Sequence, residues 1–326
     1  MAMENIPLTF ACGQYDRMDP LARGEVSPAG VDLQYVAMNN PREIFDRMIR
    51  HHEFDVSEMS VSEYVCRYAD GERDLVGIPV FPSRAFRHSC IVVNSNIIQK
   101  PSDLNGKKIG VQLYTMTAAV WVRGVLQDAG VDLSTITWVE GDLVHPGAHG
   151  NPRSKPLLRP VDIIRNGNSK SLSQLLEEGE LAATIGAHPP TCLGKVAHIQ
   201  HLFPDVRGTE KEYFQRTGIF PIMHLVVIRK EIVEKYPFIA KALYDAMDES
   251  KNVSLRRMKL ASTYSYMLPF LSSDIAEVEE IFGGDPWPYG IESNRKVLEL
   301  LITLLFDQAM ISRQVALEEL FPMKCN

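Results

Sequence analysis

Apolar and polar positions along the first ninety residues switch between a period of two and a period near 3.6. PLTFACG is a short apolar strand ending in a turn, and VDLQYVAM alternates as a second strand. PREIFDRMIRHH carries Ile44, Phe45 and Met48 at helical spacing. FDVSEMS returns to a strand, VSEYVCRYADG is a helix stopped by Gly71, and LVGIPVF is a further strand. This β-α-β-α-β order predicts a parallel sheet with helices on both faces.

A second α/β series opens near residue 105. Cys90 to Val93 reads as a strand before it, and Lys107 to Val111 as its first full strand. YTMTAAVWVRGVLQDAG predicts a helix with Thr115 or Thr117 as N-cap, Ala118, Val122, Val125 and Ala129 on one face, and Gly130 as terminator. Residues 141–168, rich in Gly, Pro, Asn and Arg, read as a long irregular loop. SLSQLLEEGELAATIGAH is helix then strand, GIFPIMHLVVIRK is a strand near residue 225, and the remainder is mostly helical. The expected division is a first lobe from 1–90 and 226–326, with a second α/β lobe, 91–225, inserted into it.

A chain of 326 residues with 45% hydrophobic content can bury the core of two such lobes. The formal net charge of -7 and the absence of a basic block argue against a nucleic-acid surface and point to small-molecule partners. Five scattered cysteines, Cys12, Cys66, Cys90, Cys192 and Cys325, include no CxxC pair. That pattern suits a reduced compartment and disfavours a disulfide framework or a thiolate zinc site. The first residues show no cationic segment followed by an apolar one, and no apolar run of about 18 residues occurs. The expectation is a cytoplasmic protein with no membrane partner; homo-oligomerisation is left open.

Candidate chemistry begins at SRAFRHSC, residues 83–90, where Arg84, Arg87 and His88 put up to three cations into five positions. Such a cluster becomes a site only where the fold brings it to a cleft. A lobe, an inserted lobe and a return, joined by the crossings RHSCIVVN and MHLVVIRK, resembles the type II periplasmic-binding-protein architecture. PSDLNGKKIGV is similar to the phrase that enters its second lobe. That resemblance implies a ligand site between the lobes, at strand C-termini and helix N-termini.

Four blocks in order, FPSRAFRHSCIVVN, YTMTAAVWVRGVLQDAGV, FPIMHLVVIRK and DPWPYGIESNRK, resemble the 4,5-dihydroxyphthalate decarboxylase family, which uses this fold for an enzyme. The resemblance implies loss of one carboxylate from a dihydroxylated phthalate to give protocatechuate. Direct loss of CO2 would leave an aryl anion. Protonation at the carbon bearing the carboxylate, assisted by a hydroxyl ortho or para to it, avoids that species. Such a site needs a cation for the carboxylate that stays, a base near the phenol and an acid over the ring. It requires no redox cofactor, and none is expected.

Under this resemblance Arg84 and Arg87 suit the carboxylate clamp, since a guanidinium offers two parallel hydrogen bonds and stays charged. Tyr114, Thr115 and Thr117 start the second-lobe helix, where unpaired N–H groups favour anions, although a threonine there can equally be a plain cap. His88, His188 and His224 are the acid and base candidates, with His224 opposite His88 if the two crossings run side by side. Glu58, at a strand end, would orient a histidine or accept the phenolic proton. Arg17, beside Asp16, occupies the equivalent place one strand over. His145 and His149 are lid candidates, and Trp287 builds a turn or walls the ring. No HExxH or tight HxH spacing supports a metal site, and none is expected. Two other readings compete: a solute receptor of the same fold, and a thiamine-pyrimidine-type synthase using pyridoxal, for which no lysine motif is present.

Overall fold

The computed structural model describes residues 5–149, 157–167, 169–260 and 266–322. The chain opens with β1 (Ile6–Cys12), α1 (Asp19–Ala22), β2 (Val31–Ala37), α2 (Pro41–His51), β3 (Val56–Ser60), α3 (Val61–Ala69) and β4 (Leu75–Arg84). There follow β5 (Val92–Asn94), β6 (Lys108–Val111), α4 (Thr117–Asp128), β7 (Thr137–Glu140), β8 (Ile163–Arg165), α5 (Leu172–Glu177), β9 (Ala183–Ile185), β10 (Ile199–His201) and α6 (Val206–Thr217). The return comprises β11 (Ile222–Arg229), α7 (Lys230–Lys235), α8 (Ile239–Met258), α9 (Leu271–Phe282), α10 (Arg295–Asp307) and α11 (Leu317–Leu320).

Two compact units result. Unit 1 takes the chain up to Arg84, Ile222–Leu298 and the chain from Val315 on; unit 2 takes Ala85–Pro221 and Glu299–Gln314. The crossings therefore fall at 84/85 and 221/222 instead of 90/91 and 225/226, because β4 ends at Arg84 and β11 begins at Ile222. Residues 299–314 join unit 2: Gln308 accepts from Arg123 Nε of α4 over 2.7 Å, and Leu304 packs where a Cβ on Gly124 would stand.

In unit 1 the sheet order is β2-β1-β3-β11-β4. β1 runs parallel to β2 and β3, but β11 is antiparallel to both its neighbours, so the sheet is mixed and not the parallel one expected. The returning chain enters between β3 and β4, a long-range insertion that local pattern does not encode. β3 is buried at all five positions, as a central strand with both faces covered must be. α2 starts where Asn40 accepts from the Arg42 N–H, has Pro41 at its first turn and buries Ile44, Phe45 and Met48; it ends at His52 in the left-handed region.

In unit 2 the order is β10-β5-β9-β6-β7-β8, with β6 parallel to β7 and β9. β8 pairs with β7 inside the stretch expected to be irregular throughout; residues 150–156 and 168 of that stretch lie outside the described residues. The strand expected at Cys90 to Val93 shortens to β5, because His88–Cys90 makes a 3-10 turn. α4 begins at Thr117 with Met116 at its N-cap, so neither Thr115 nor Thr117 is the cap; the Met116 N–H to Leu113 carbonyl turn sets the entry instead. Ser171 and Gln174 form a reciprocal capping box on α5. Leu172, Leu175 and Leu176 of α5 pack with Val92, Val139 and Leu181 in one apolar cluster. No helix among the described residues is long and apolar enough to cross a membrane.

Candidate active site

The register of unit 1 gathers three strands on one carboxylate. Ala11 of β1 pairs with Ser57 of β3, which brings the end of β1 beside Glu58. On the other side His224 of β11 faces Ser60 and Val226 faces Glu58, so Glu58 and His224 are diagonal neighbours on one face. Glu58 Oε1 accepts from Tyr15 Oη over 2.6 Å and lies 2.5 Å from His224 Nδ1. Its Oε2 accepts from the Gly13 N–H over 2.9 Å and from Cys12 Sγ over 3.5 Å. Glu58 is fully buried, and four donors serve its two oxygens.

Burial alone would raise the Glu58 carboxyl. The adjacent His224 and the hydrogen bonds from His224, Tyr15 and Gly13 outweigh it and hold the group below the ordinary carboxylate value. The Tyr15 hydroxyl and the Cys12 thiol are driven the other way, first by burial and then by Glu58, so both stay protonated donors. An ionised Glu58 fixes the proton of His224 on Nδ1 and leaves Nε2 as the basic nitrogen. Phe45 packs its edge against the His224 ring at 5.0 Å. Among the described residues no hydrogen bond to His224 Nε2 is found, and the side chain is 18% exposed. This is an oriented imidazole able to take a proton and return it.

Next to the pair stands Arg17, placed by a defect in the sheet. Val226 of β11 pairs with Ile78 of β4 while His224 pairs with Ser83, so residues 79–82 bulge out of the ladder. Pro79 and Pro82 lack the N–H groups a ladder needs. The carbonyls released there are used again: Pro79 accepts from Gly290 N–H, Phe81 from Trp287 Nε1 and Pro82 from Arg17 Nε, at 2.8, 2.9 and 2.6 Å. The Arg17 guanidinium also donates to Asp16 over 2.9 Å and lies 4.5 Å from the Tyr15 ring centroid and 4.2 Å from that of Trp287. It is thus a stacked cation beside the residue that bonds Glu58. An open groove of about 740 Å³ also touches Tyr15, Asp16 and Tyr35, but neither Glu58, His224 nor Arg17 lines it.

The remaining sequence candidates are spread more widely. Arg84 turns into unit 1, where it bonds Asn294 Oδ1 and the Pro288 carbonyl; burial pushes its guanidinium down to about 10. It ties the 288–294 segment to β4. His88 does not stand opposite His224, since Ser83 occupies that place. It is buried in unit 2 among Phe86, Phe203 and Tyr213, with its imidazole lowered to about 4 by burial. Arg87 Nη1 donates to the Ala187 carbonyl over 2.9 Å, and His188 follows at the exposed end of β9. Tyr114 is buried, with Arg123 over its ring at 3.7 Å, and its N–H is taken by Glu140 over 2.7 Å. An internal carboxylate thus occupies one of the donors that the helix start was expected to offer a ligand. Thr115 is half-buried and Thr117 buried, both with partners within the protein. Among the described residues no group of three or more His, Cys, Asp or Glu could hold a metal ion.

The chain is 36% identical over 322 residues to a 4,5-dihydroxyphthalate decarboxylase from Comamonas testosteroni, covering 98% of this chain and 97% of that protein. The chain belongs to the 4,5-dihydroxyphthalate decarboxylase family. A second member, from Pseudomonas putida, is 38% identical over 220 residues, 65% of this chain and 83% of its own length. A model of the NMT1/THI5-like family matches residues 27–146. Among solved structures, the periplasmic aliphatic sulphonate binding protein of Escherichia coli aligns with a TM-score of 0.55 at 13% identity, covering 96% of this chain and 91% of that one. A protein from Archaeoglobus fulgidus aligns at 0.54 and 13% identity, over 94% and 98%. The likeness shows that this decarboxylase-family chain has the periplasmic-binding-protein fold.

For this member of the decarboxylase family, sequence reasoning missed Tyr15, Cys12 and Gly13 as partners of Glu58. The one signal that could have found Tyr15 is its place in CGQYDR, directly after an apolar strand, where Arg17 had already been singled out. Trp287, by sequence either a turn residue or a wall for the ring, stacks on Arg17.

Proposed function

We propose that the chain catalyses the non-oxidative decarboxylation of 4,5-dihydroxyphthalate to protocatechuate, as a cytoplasmic carboxy-lyase of aromatic catabolism. The observation that carries this reading is the end-to-end similarity to the Comamonas testosteroni decarboxylase. The buried Glu58–His224 pair supplies chemistry that suits it.

His224 Nε2 takes the proton of the hydroxyl para to the leaving carboxylate. Negative charge then passes into the ring, and the carbon bearing that carboxylate accepts a proton from solvent. The C–C bond breaks heterolytically, CO2 departs, its electron pair restores the aromatic ring as a phenolate, and the His224 imidazolium returns its proton to the phenolate oxygen. The ring gains one proton and loses one CO2, with no change in oxidation state to be supplied from outside. Glu58 holds the imidazole in one tautomer and stabilises its protonated form, a contribution of roughly 10²–10⁴ in rate for such acid–base groups. Arg17, stacked between Tyr15 and Trp287, receives the carboxylate that stays. The scattered free thiols Cys12, Cys66, Cys90 and Cys192 suit a reducing compartment.

The test is incubation with 4,5-dihydroxyphthalate in deuterium oxide, followed by mass spectrometry. Protocatechuate carrying one deuterium at the vacated ring carbon, formed over many turnovers, is expected. Tight binding with no product would overturn the enzyme reading in favour of a receptor.

A further inference from the structure

Arg87, His149 and His188 come from three separate stretches of unit 2 and gather beyond the C-terminal ends of the neighbouring parallel strands β6 and β9. The Arg87 guanidinium bonds the carbonyl of Ala187, the residue before His188, over 2.9 Å. Gln112, buried just after β6, joins the segments: its Oε1 accepts from the Ala187 N–H over 3.4 Å, and its Nε2 lies 3.4 Å from His149 Nδ1. A Cβ at Gly186 would meet Gln112 Oε1 at 2.8 Å, so a glycine there leaves the amide room. Asp142 holds His149 with Oδ2 at 3.0 Å, while its Oδ1 serves the Val144 and His145 N–H groups. Arg87 and His149 both bear on His188. After burial, Arg87 and then His149 are what hold the His188 imidazole below its ordinary value, a strain that an anion would relieve.

We propose that Arg87, His149 and His188 form an oxyanion subsite of unit 2 that takes a carboxylate of an aromatic acid. The choice of ligand rests on the function proposed above; the subsite itself does not require turnover. A guanidinium and two imidazoles present planar N–H donors suited to charge-assisted bonds with a carboxylate.

The test is calorimetric titration of the full chain with benzene-1,2-dicarboxylate, which lacks the hydroxyls needed for decarboxylation, using wild type, Arg87→Met and His188→Gln. We expect binding about tenfold weaker in each variant, with the ring-proton NMR signals of His149 and His188 in the wild type shifting along the same isotherm. His188 is exposed, so its replacement leaves the fold intact and decides the matter should Arg87→Met fail to fold. Wild-type affinity in His188→Gln, with histidine signals that do not move, would overturn the subsite. A wild type that binds this diacid but makes no protocatechuate from 4,5-dihydroxyphthalate would sink the decarboxylase reading and leave the subsite standing.

Discussion

Glu58 illustrates how a buried charge becomes usable. Each of its oxygens is met by two donors, one of them the imidazole it orients, so its ionisation is maintained despite complete burial. Arg17 is the cation stacked beside Tyr15 and Trp287. Replacing it with Met should cost on the order of 2 kcal/mol in kcat/KM, expressed mainly as a higher KM, if it holds the retained carboxylate. Steady-state kinetics with an unchanged KM would count against that role.

His88 gives a residue-scale prediction of a different kind. Its imidazole falls from 6.5 to about 4 because burial disfavours the charged form. The unfolded chain therefore accepts a proton that the folded chain refuses, and stability rises with pH between those values. Going from pH 8 to pH 5 should cost the wild type about 2 kcal/mol through this one group. His88→Phe should lose that part of the pH dependence in urea unfolding and keep its turnover. An equal pH slope in both proteins would refute the buried, neutral assignment. His88, His188 and His224 are indistinguishable by residue type, and only burial and register separate a core imidazole from one aligned on a carboxylate.

At the scale of elements, the bulge of β4 and the segment 285–290 together fix Arg17. Lys251 of α8, almost wholly buried, bonds Asp285 at 2.5 Å and Asp248 at 3.1 Å; the other Asp285 oxygen accepts from Trp287 N–H over 2.7 Å. Lys251→Met would take the shared cation from both carboxylates, leaving Asp285 the Trp287 N–H and Asp248 the Asn252 amide. Because each is about a third exposed, the expected loss is on the order of 2 kcal/mol, less than for a fully buried pair. Thermal unfolding checks the loss, and a red-shifted Trp287 emission would report the loosened segment. An unchanged melting temperature would refute the latch. Helices such as α2 and α5 were legible in sequence, since apolar spacing and caps are local. The antiparallel insertion of β11 and the bulge were not, because both depend on pairing across more than a hundred residues. The Met116 N-cap of α4 was missed for another reason: two threonines with better capping chemistry flank it.

At the scale of the whole molecule, the alternation of strands and helices and the long-range return sufficed to anticipate two α/β units, while their edges followed strand ends that apolar runs mark only loosely. The candidate pair was half legible. Glu58 and His224 were each singled out at a strand position, yet they lie 166 residues apart in sequence and only the β3–β11 register joins them. Similarity to the Comamonas testosteroni decarboxylase runs over nearly the full chain, and we propose that the Glu58–His224 pair moves the phenolic proton of a decarboxylation. The most direct measurement is chromatographic quantification of protocatechuate formed from 4,5-dihydroxyphthalate by wild type and Glu58→Gln under identical conditions. Sustained product from the wild type and a kcat lower by roughly 10²–10⁴ in the folded variant are expected. Equal rates for the two proteins would contradict that role of the pair.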